Sequence, residues 1–172
     1  MFDRNEIDRM GGWSLPVSVF EWIFSNLSPG SKILELGSGK GSEVLRQEFE
    51  VISIENDERF VNDPSVHLVE IVPTPASTSR GQGGWFKRET LQKIIPEDYD
   101  LLIIDAPMRK IGRSGILDNL DLFRSDRPMI VDDINRYHEY EVAKSFSEIL
   151  GCEMEILNCD VFKYRKSALL LP

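Results

Sequence analysis

Cysteine is scarce. Only Cys152 and Cys159 occur, so neither a disulfide framework nor a clustered set of zinc thiolates can be drawn. That usage suits a reducing compartment, and the expected location is cytoplasmic. The two histidines offer little chemistry: His67 falls mid-strand and His138 at a helix start. Long apolar runs are missing as well. Stretches such as residues 168–171 are far below the ~18 residues a membrane helix needs, so no membrane partner is expected. The N-terminus mixes acids and bases and lacks an apolar core, and no secretory signal is expected there. Positive charge is also short. With 20 Lys plus Arg against 29 Asp plus Glu, the net charge is −9, which disfavours non-specific nucleic-acid binding.

What is present is the composition of a globular protein, 41% apolar and 28% charged, and this excludes disorder. A chain of 172 residues predicts one domain at ~150 residues per domain. The expected organisation is a single unit over 1–172, with a helical lead-in over 1–30 and a core over 32–171. Short runs rich in Ile, Val and Leu predict strands at 32–36, 51–55, 66–72, 101–105 and 129–133. Helical spacing of apolar residues predicts helices over 16–27, 43–48, 86–95, 114–123 and 138–150, the last stopped by Gly151. After Gly151, residues 153–157 and 162–171 read as two strands joined by a tight hairpin at 158–160. The fold class is therefore α/β: an open sheet, mostly parallel, with one antiparallel strand from the C-terminal hairpin and helices on both faces. Residues 73–85 form the one long loop, a length that usually serves function.

The segment Glu35-Leu-Gly37-Ser38-Gly39-Lys-Gly41-Ser42 lies between the first strand and a helix. Glycines there let the backbone turn sharply and approach a ligand, and the helix start offers unpaired N–H groups. A dinucleotide fingerprint needs glycine or alanine at its sixth position, where this chain has Ser42. Glu55 ends the second strand, where an acid can accept from both hydroxyls of a ribose.

The acid-x-Gly-x-Gly-x-Gly pattern resembles motif I of class I S-adenosylmethionine-dependent methyltransferases, which have a Rossmann-like sheet. The resemblance implies that S-adenosyl-L-methionine is the cofactor and that Glu35 orients its methionine end. It places Gly37, Ser38, Gly39 and Gly41 beneath the cofactor and Glu55 at its ribose. A narrower resemblance covers about residues 100–146. Asp105-Ala-Pro107, Gly112-Arg113 and Asp132-Asp133-Ile-Asn135-Arg136 are similar to blocks of the plant xylan-biosynthesis domain that includes glucuronoxylan 4-O-methyltransferases. It has Asp132 where the plant pattern has His.

Asp105, Asp132 and Asp133 end the fourth and fifth strands, at the sheet edge where open α/β folds bind ligands. Side chains alternate along a strand, so Asp132 and Asp133 face one site only if the strand has already ended. Three readings stand side by side. Asp105, Asp133 and Asn135 could hold a divalent cation through oxygen ligands. One aspartate could instead act as general base without a metal. Or one of these acids caps the following helix or binds Arg136. Two predicted loops at this edge carry bases without acids: Arg80, Lys87 and Arg88 within 76–88, and Arg109, Lys110 and Arg113 within 106–113. Arg109 and Arg113 are candidates to hold an anionic acceptor.

The expected activity is transfer of a methyl group from S-adenosylmethionine to a small or sugar-like acceptor, anionic ones included, most readily at oxygen. The catalytic candidates are Asp105, Asp132 and Asp133. A nucleic-acid methyltransferase is one alternative. A non-catalytic cofactor-binding or scaffold protein of the same fold is another.

Overall fold

A computed structural model describes residues 14–75, 83–158 and 165–172. The apolar runs become strands because branched side chains fit a pleated surface covered on both sides. In chain order they are β1 (Lys32–Leu36), β2 (Glu50–Glu55), β3 (Val66–Leu68), β4 (Ile71–Val72), β5 (Trp85–Phe86), β6 (Leu101–Ile104), β7 (Met129–Val131), β8 (Glu153–Asn158) and β9 (Lys166–Leu171). The helices are α1 (Val17–Asn26), α2 (Lys40–Leu45), α3 (Arg88–Ile94) and α4 (Tyr137–Leu150). Gly151 stops α4 in the left-handed conformation, φ 69°, which costs glycine little.

Seven strands form one sheet in the order β3-β2-β1-β6-β7-β9-β8. Every pairing is parallel except those of β9, which runs antiparallel to β7 and β8. Alternation along the strands splits the interior in two. Leu34, Leu36, Leu102 and Ile104 pack with Leu91 of α3 and Phe146 of α4 on one face. Ile33, Leu101, Ile103 and Ile130 pack with Phe20 of α1 and Leu45 of α2 on the other. Helices cover both faces, as the sequence predicts. Phe146 is fully buried, and truncating it to alanine would cost about 3–5 kcal/mol. Among the described residues no helix is long and apolar enough to cross a membrane.

Three local expectations are corrected. The run over 66–72 is not one strand: β3 ends at Leu68, and β4 leaves the main sheet to pair with β5. β2 explains the break, since it ends at Glu55, whose partner is Leu68, so a longer β3 has no ladder to join. Phe86 accordingly lies in β5, and the following helix starts at Arg88. The segment Ser114–Leu122 is 3-10 rather than α-helical, with a non-helical Asn119 inside it. Asn158 pairs with Lys166, and the expected turn beyond Asn158 lies outside the described residues. Arg80 and Cys159 lie outside the described residues.

The topology positions the site. From β1 the chain builds outward through β2 and β3, then returns to β6 on the other side of β1. Ligands of open α/β sheets bind where the order reverses in this way. Here that point lies between the ends of β1 and β6, with Gly37 on one side and Asp105 on the other.

Candidate active site

The glycine loop divides into residues with different duties. Gly37 has φ 114°, and a Cβ there would meet Ala106 Cβ at 3.4 Å and the Asp105 carbonyl carbon at 3.5 Å. Only glycine is comfortable in that conformation. Gly39 is extended, φ −178°, and makes no such demand. Gly41 packs away from the loop: a Cβ would stand 3.2 Å from Phe20 Cζ and 3.3 Å from Ser14 Oγ. The absence of a side chain there lets α2 approach α1 closely. Ser38 Oγ is buried without a hydrogen-bond partner among the described residues, the mark of a polar atom awaiting a ligand or water.

Glu35 and Ser42 hold this loop in shape. Glu35 is buried, and its Oε2 accepts from Ser42 Oγ at 2.7 Å and from Ser53 Oγ at 2.8 Å. Ser42 Oγ accepts from the Gly39 N–H at 3.0 Å. Burial raises the Glu35 pKa, against the two hydroxyls and the Arg46 charge. Glu55 is also buried and raised by burial, although Asp57, Asn56 and Ser38 donate main-chain N–H groups to it. Ser38 N–H reaches Oε2 at 3.1 Å, while Asn56 and Asp57 N–H groups reach Oε1 at 2.6 Å and 2.9 Å. Each carboxylate oxygen can accept twice, so Glu55 keeps capacity for a further donor. A cavity of about 500 Å³ lined by Asn56, Glu58, Leu68, Val69, Glu70 and Thr90 opens beside this strand end.

The three aspartates do meet. β7 ends at Val131, and Asp133 adopts φ 63°, a left-handed turn that aspartate tolerates better than most residues. The strand has thus ended, and carboxylate oxygens of Asp105, Asp132 and Asp133 lie within 4.8 Å of one another. Asp132 is fully buried: Oδ1 accepts from Ser167 Oγ at 2.6 Å and Oδ2 from Arg165 Nη2 at 2.5 Å. Asp133 Oδ2 is paired with Arg136 at 2.8 Å and Arg113 at 3.1 Å, and Oδ1 faces Arg165 Nε at 3.7 Å. Asp105 is the exception. Arg113 Nη2 binds its Oδ1 at 2.8 Å, no described residue bonds Oδ2, and 30% of the side chain is exposed. Burial and then the Asp132 charge raise its pKa to about 8, against the pull of Arg113.

The basic residues are placed differently from the expectation. Arg113 is buried, and besides two aspartates it donates to the main-chain carbonyls of Asp105 and Asp132. Burial opposes its charge, but Asp105, Asp133 and Asp132 outweigh that and raise its pKa. A guanidinium so engaged does not grip an acceptor. Lys87 and Arg88 are paired with Glu70 and Asp121, each at 2.5 Å, so they add little positive field. Arg109 and Lys110 remain exposed, beside Met108.

A divalent cation does not fit this donor set. Three aspartates are matched by the guanidinium groups of Arg113, Arg136 and Arg165. A cation would have to displace an arginine and leave its charge buried, which costs several kcal/mol. Asn135 is exposed, two residues beyond Asp133.

Arg165, Ser167, Ser53 and Arg46 escaped the sequence reading. A faint signal existed for the serines, since each is a lone hydroxyl next to or inside an apolar strand run. Ser53 is moreover the register partner of Glu35. For Arg165, remote in sequence from Asp132 and from the Ser14 carbonyl it also binds, there was none.

No protein-family model matches this sequence, and no curated protein matches it. Solved structures do resemble it. A methyltransferase from Pyrococcus furiosus superposes with TM-score 0.56 at 19% identity, over 90% of this chain and 81% of that one. Precorrin 8W decarboxylase of Methanobacterium thermoautotrophicum gives 0.57 at 16% identity, over 100% of both chains. A TehB-like SAM-dependent methyltransferase from Corynebacterium glutamicum gives 0.54 at 15% identity, over 98% of this chain and 92% of that one. The architecture is the Rossmann-like methyltransferase fold.

Proposed function

We propose that the protein is an S-adenosylmethionine-dependent methyltransferase that works without a metal. The observation that carries this is the meeting of Gly37, held in a backbone conformation that side chains rarely adopt, with Asp105, the most exposed aspartate of the cluster, across the switch point of a methyltransferase fold. Glu35, Gly37, Ser38 and Gly39 would line the methionine side of the cofactor, with the unpartnered Ser38 Oγ free to bond it. Glu55 would take one ribose hydroxyl with its remaining acceptor capacity. Ser42 turns the loop away from the dinucleotide pattern.

When bound, S-adenosylmethionine supplies an activated methyl on a sulfonium sulfur, which is the difficult part of the chemistry. The protein's task is then alignment and one proton. Asp105 Oδ2 would take the proton of the acceptor hydroxyl, and its raised pKa makes it a base of useful strength near neutrality. Asp132 and Asp133 are not bases in this scheme. They anchor Arg113 and Arg165, and Arg113 holds Asp105 in place.

The acceptor is proposed as a small or saccharide-like hydroxyl compound, with an anionic group preferred. Exposed Arg109 and the resemblance over residues 100–146 support this, while the −9 net charge argues against RNA. A reducing, cytoplasmic setting belongs to the same reading, and Cys152 is a free buried thiol. The test is a methyl-transfer assay across uronates, catechols and short RNAs with wild type and Asp105→Asn. Transfer to a hydroxyl acceptor, lost about 10²–10⁴-fold in Asp105→Asn, supports the proposal. Equal turnover by both proteins removes Asp105 from the chemistry. Transfer to RNA alone replaces the acceptor with nucleic acid, and no transfer to anything leaves a binding protein of this fold.

A further inference from the structure

Behind the glycine loop a line of buried and half-buried polar groups leads from Arg46 to Glu35. Arg46 caps the C-terminus of α2 with its side chain turned toward the sheet. Its Nε donates to Ser65 Oγ at 2.9 Å and its Nη2 to Ser53 Oγ at 2.8 Å. Ser53, fully buried, donates to Glu35 Oε2 at 2.8 Å. From the other side Ser42 donates to the same oxygen at 2.7 Å while accepting from Gly39 N–H at 3.0 Å.

The directions of these bonds follow from counting protons. A hydroxyl has one proton to give. Ser53 Oγ accepts a hydrogen bond from Arg46 and Ser42 Oγ one from Gly39, and each hydroxyl donates its own proton to Glu35. Both protons therefore converge on one oxygen of a buried carboxyl group, an arrangement that favours the anion. The free oxygen, Oε1, has no hydrogen-bond partner among the described residues.

We infer that Arg46 is a positioning residue: acting through Ser53, it holds Glu35 as an oriented carboxylate, so that this end of the site takes a ligand group bearing positive charge. The inference rests on the cofactor reading above, which puts the methionine end, the part of S-adenosylmethionine that bears an ammonium, beside Glu35. The groups that bear on Glu35 are few. Arg46 favours its charge, Glu55 at the end of β2 opposes it, and burial opposes it most. Asp63, 3.8 Å from Arg46 Nε, offsets part of the guanidinium charge. Without Arg46, Ser53 loses the donor that fixes its proton, and Glu35 loses the cation that offsets its burial.

The test is calorimetric titration of the full chain with S-adenosylhomocysteine, from about pH 6 to about pH 8.5, for wild type, Arg46→Met, Arg46→Lys, Ser53→Ala and Glu35→Gln. Wild type should vary little with pH. Arg46→Met should bind progressively worse toward the acid end, by up to about tenfold for each further pKa unit on Glu35. Arg46→Lys should recover most of the wild-type profile, and Glu35→Gln should bind weakly with no pH tilt. Ser53→Ala removes only a hydroxyl and should show the tilt of Arg46→Met, so it carries the test if the methionine variant fails to fold. Losses of equal size at every pH in Arg46→Met and Ser53→Ala, or no loss, overturn the relay. Failure of wild type to bind at any pH overturns the cofactor reading instead, and the relay with it.

Discussion

Arg113 binds Asp105 twice with a single nitrogen: Nη2 lies 2.7 Å from its main-chain carbonyl and 2.8 Å from its Oδ1. One guanidinium thus fixes both the end of β6 and the carboxylate that it carries. It does so from a buried position, shared with Asp133 and the Asp132 carbonyl.

Arg113→Ala should therefore behave as a structural lesion. Leaving Asp105 and Asp133 without this partner should lower stability by about 3–5 kcal/mol. Turnover should fall with it. Arg109→Ala, at an exposed site, should instead raise the acceptor's KM and leave the melting temperature almost unchanged. Thermal unfolding alongside steady-state kinetics separates the two. A selective KM effect in Arg113→Ala, with unchanged stability, would restore this residue as the acceptor clamp.

Asp105 makes activity and stability move in opposite directions with pH. As a base it must be ionised, so turnover should climb with pH and level off above about 8. The folded protein holds this proton more tightly than the unfolded chain. Its contribution to stability is thus complete below the unfolded value of 3.8 and is lost as pH rises through about 8. Asp105→Asn should flatten that part of the stability profile. Denaturant titrations at several pH values, compared with pH–rate curves, check both signs.

Chelation should be without effect. Because arginines already match the three aspartates, turnover in a metal-stripped sample should equal that of the untreated protein. Titration with magnesium or manganese should give no binding heat. Activity abolished by chelator and restored by either metal would show that an arginine leaves the cluster to admit a cation.

The glycines should respond in a graded way. Gly41→Ala presses a methyl against Phe20 and Ser14 and should cost about 1–3 kcal/mol of stability, with cofactor affinity changed far less. Gly39→Ala, at an extended position, should fold normally. Comparing melting temperature with cofactor affinity for each variant tells helix packing from ligand contact.

The sheet was legible because its signals are local. Continuous Ile, Val and Leu runs marked β1, β2, β6 and β7 to within a residue or two, and Gly151 marked the end of α4. Where a strand's extent depended on a neighbour's length, as at β3, periodicity could not find the boundary. The same division runs through the site. Gly37, Glu35, Glu55 and Asp105 announce themselves by type and place beside the strands. Arg165 reaches Asp132 and Ser14 only after the C-terminal hairpin folds back, and nothing near it in sequence records those contacts. Arg113 was visible as a base but not as a buried one, since its partners arrive from β6 and the end of β7.

The most direct measurement is calorimetric titration of the wild-type chain and Gly37→Val with S-adenosylhomocysteine and with NAD. Valine at φ 114° would be strained and would push toward Ala106, filling the space between the ends of β1 and β6. Expected is saturable binding of S-adenosylhomocysteine by wild type, its loss in Gly37→Val, and no heat from NAD with either protein. Binding of NAD by wild type together with silence toward S-adenosylhomocysteine would contradict the assignment.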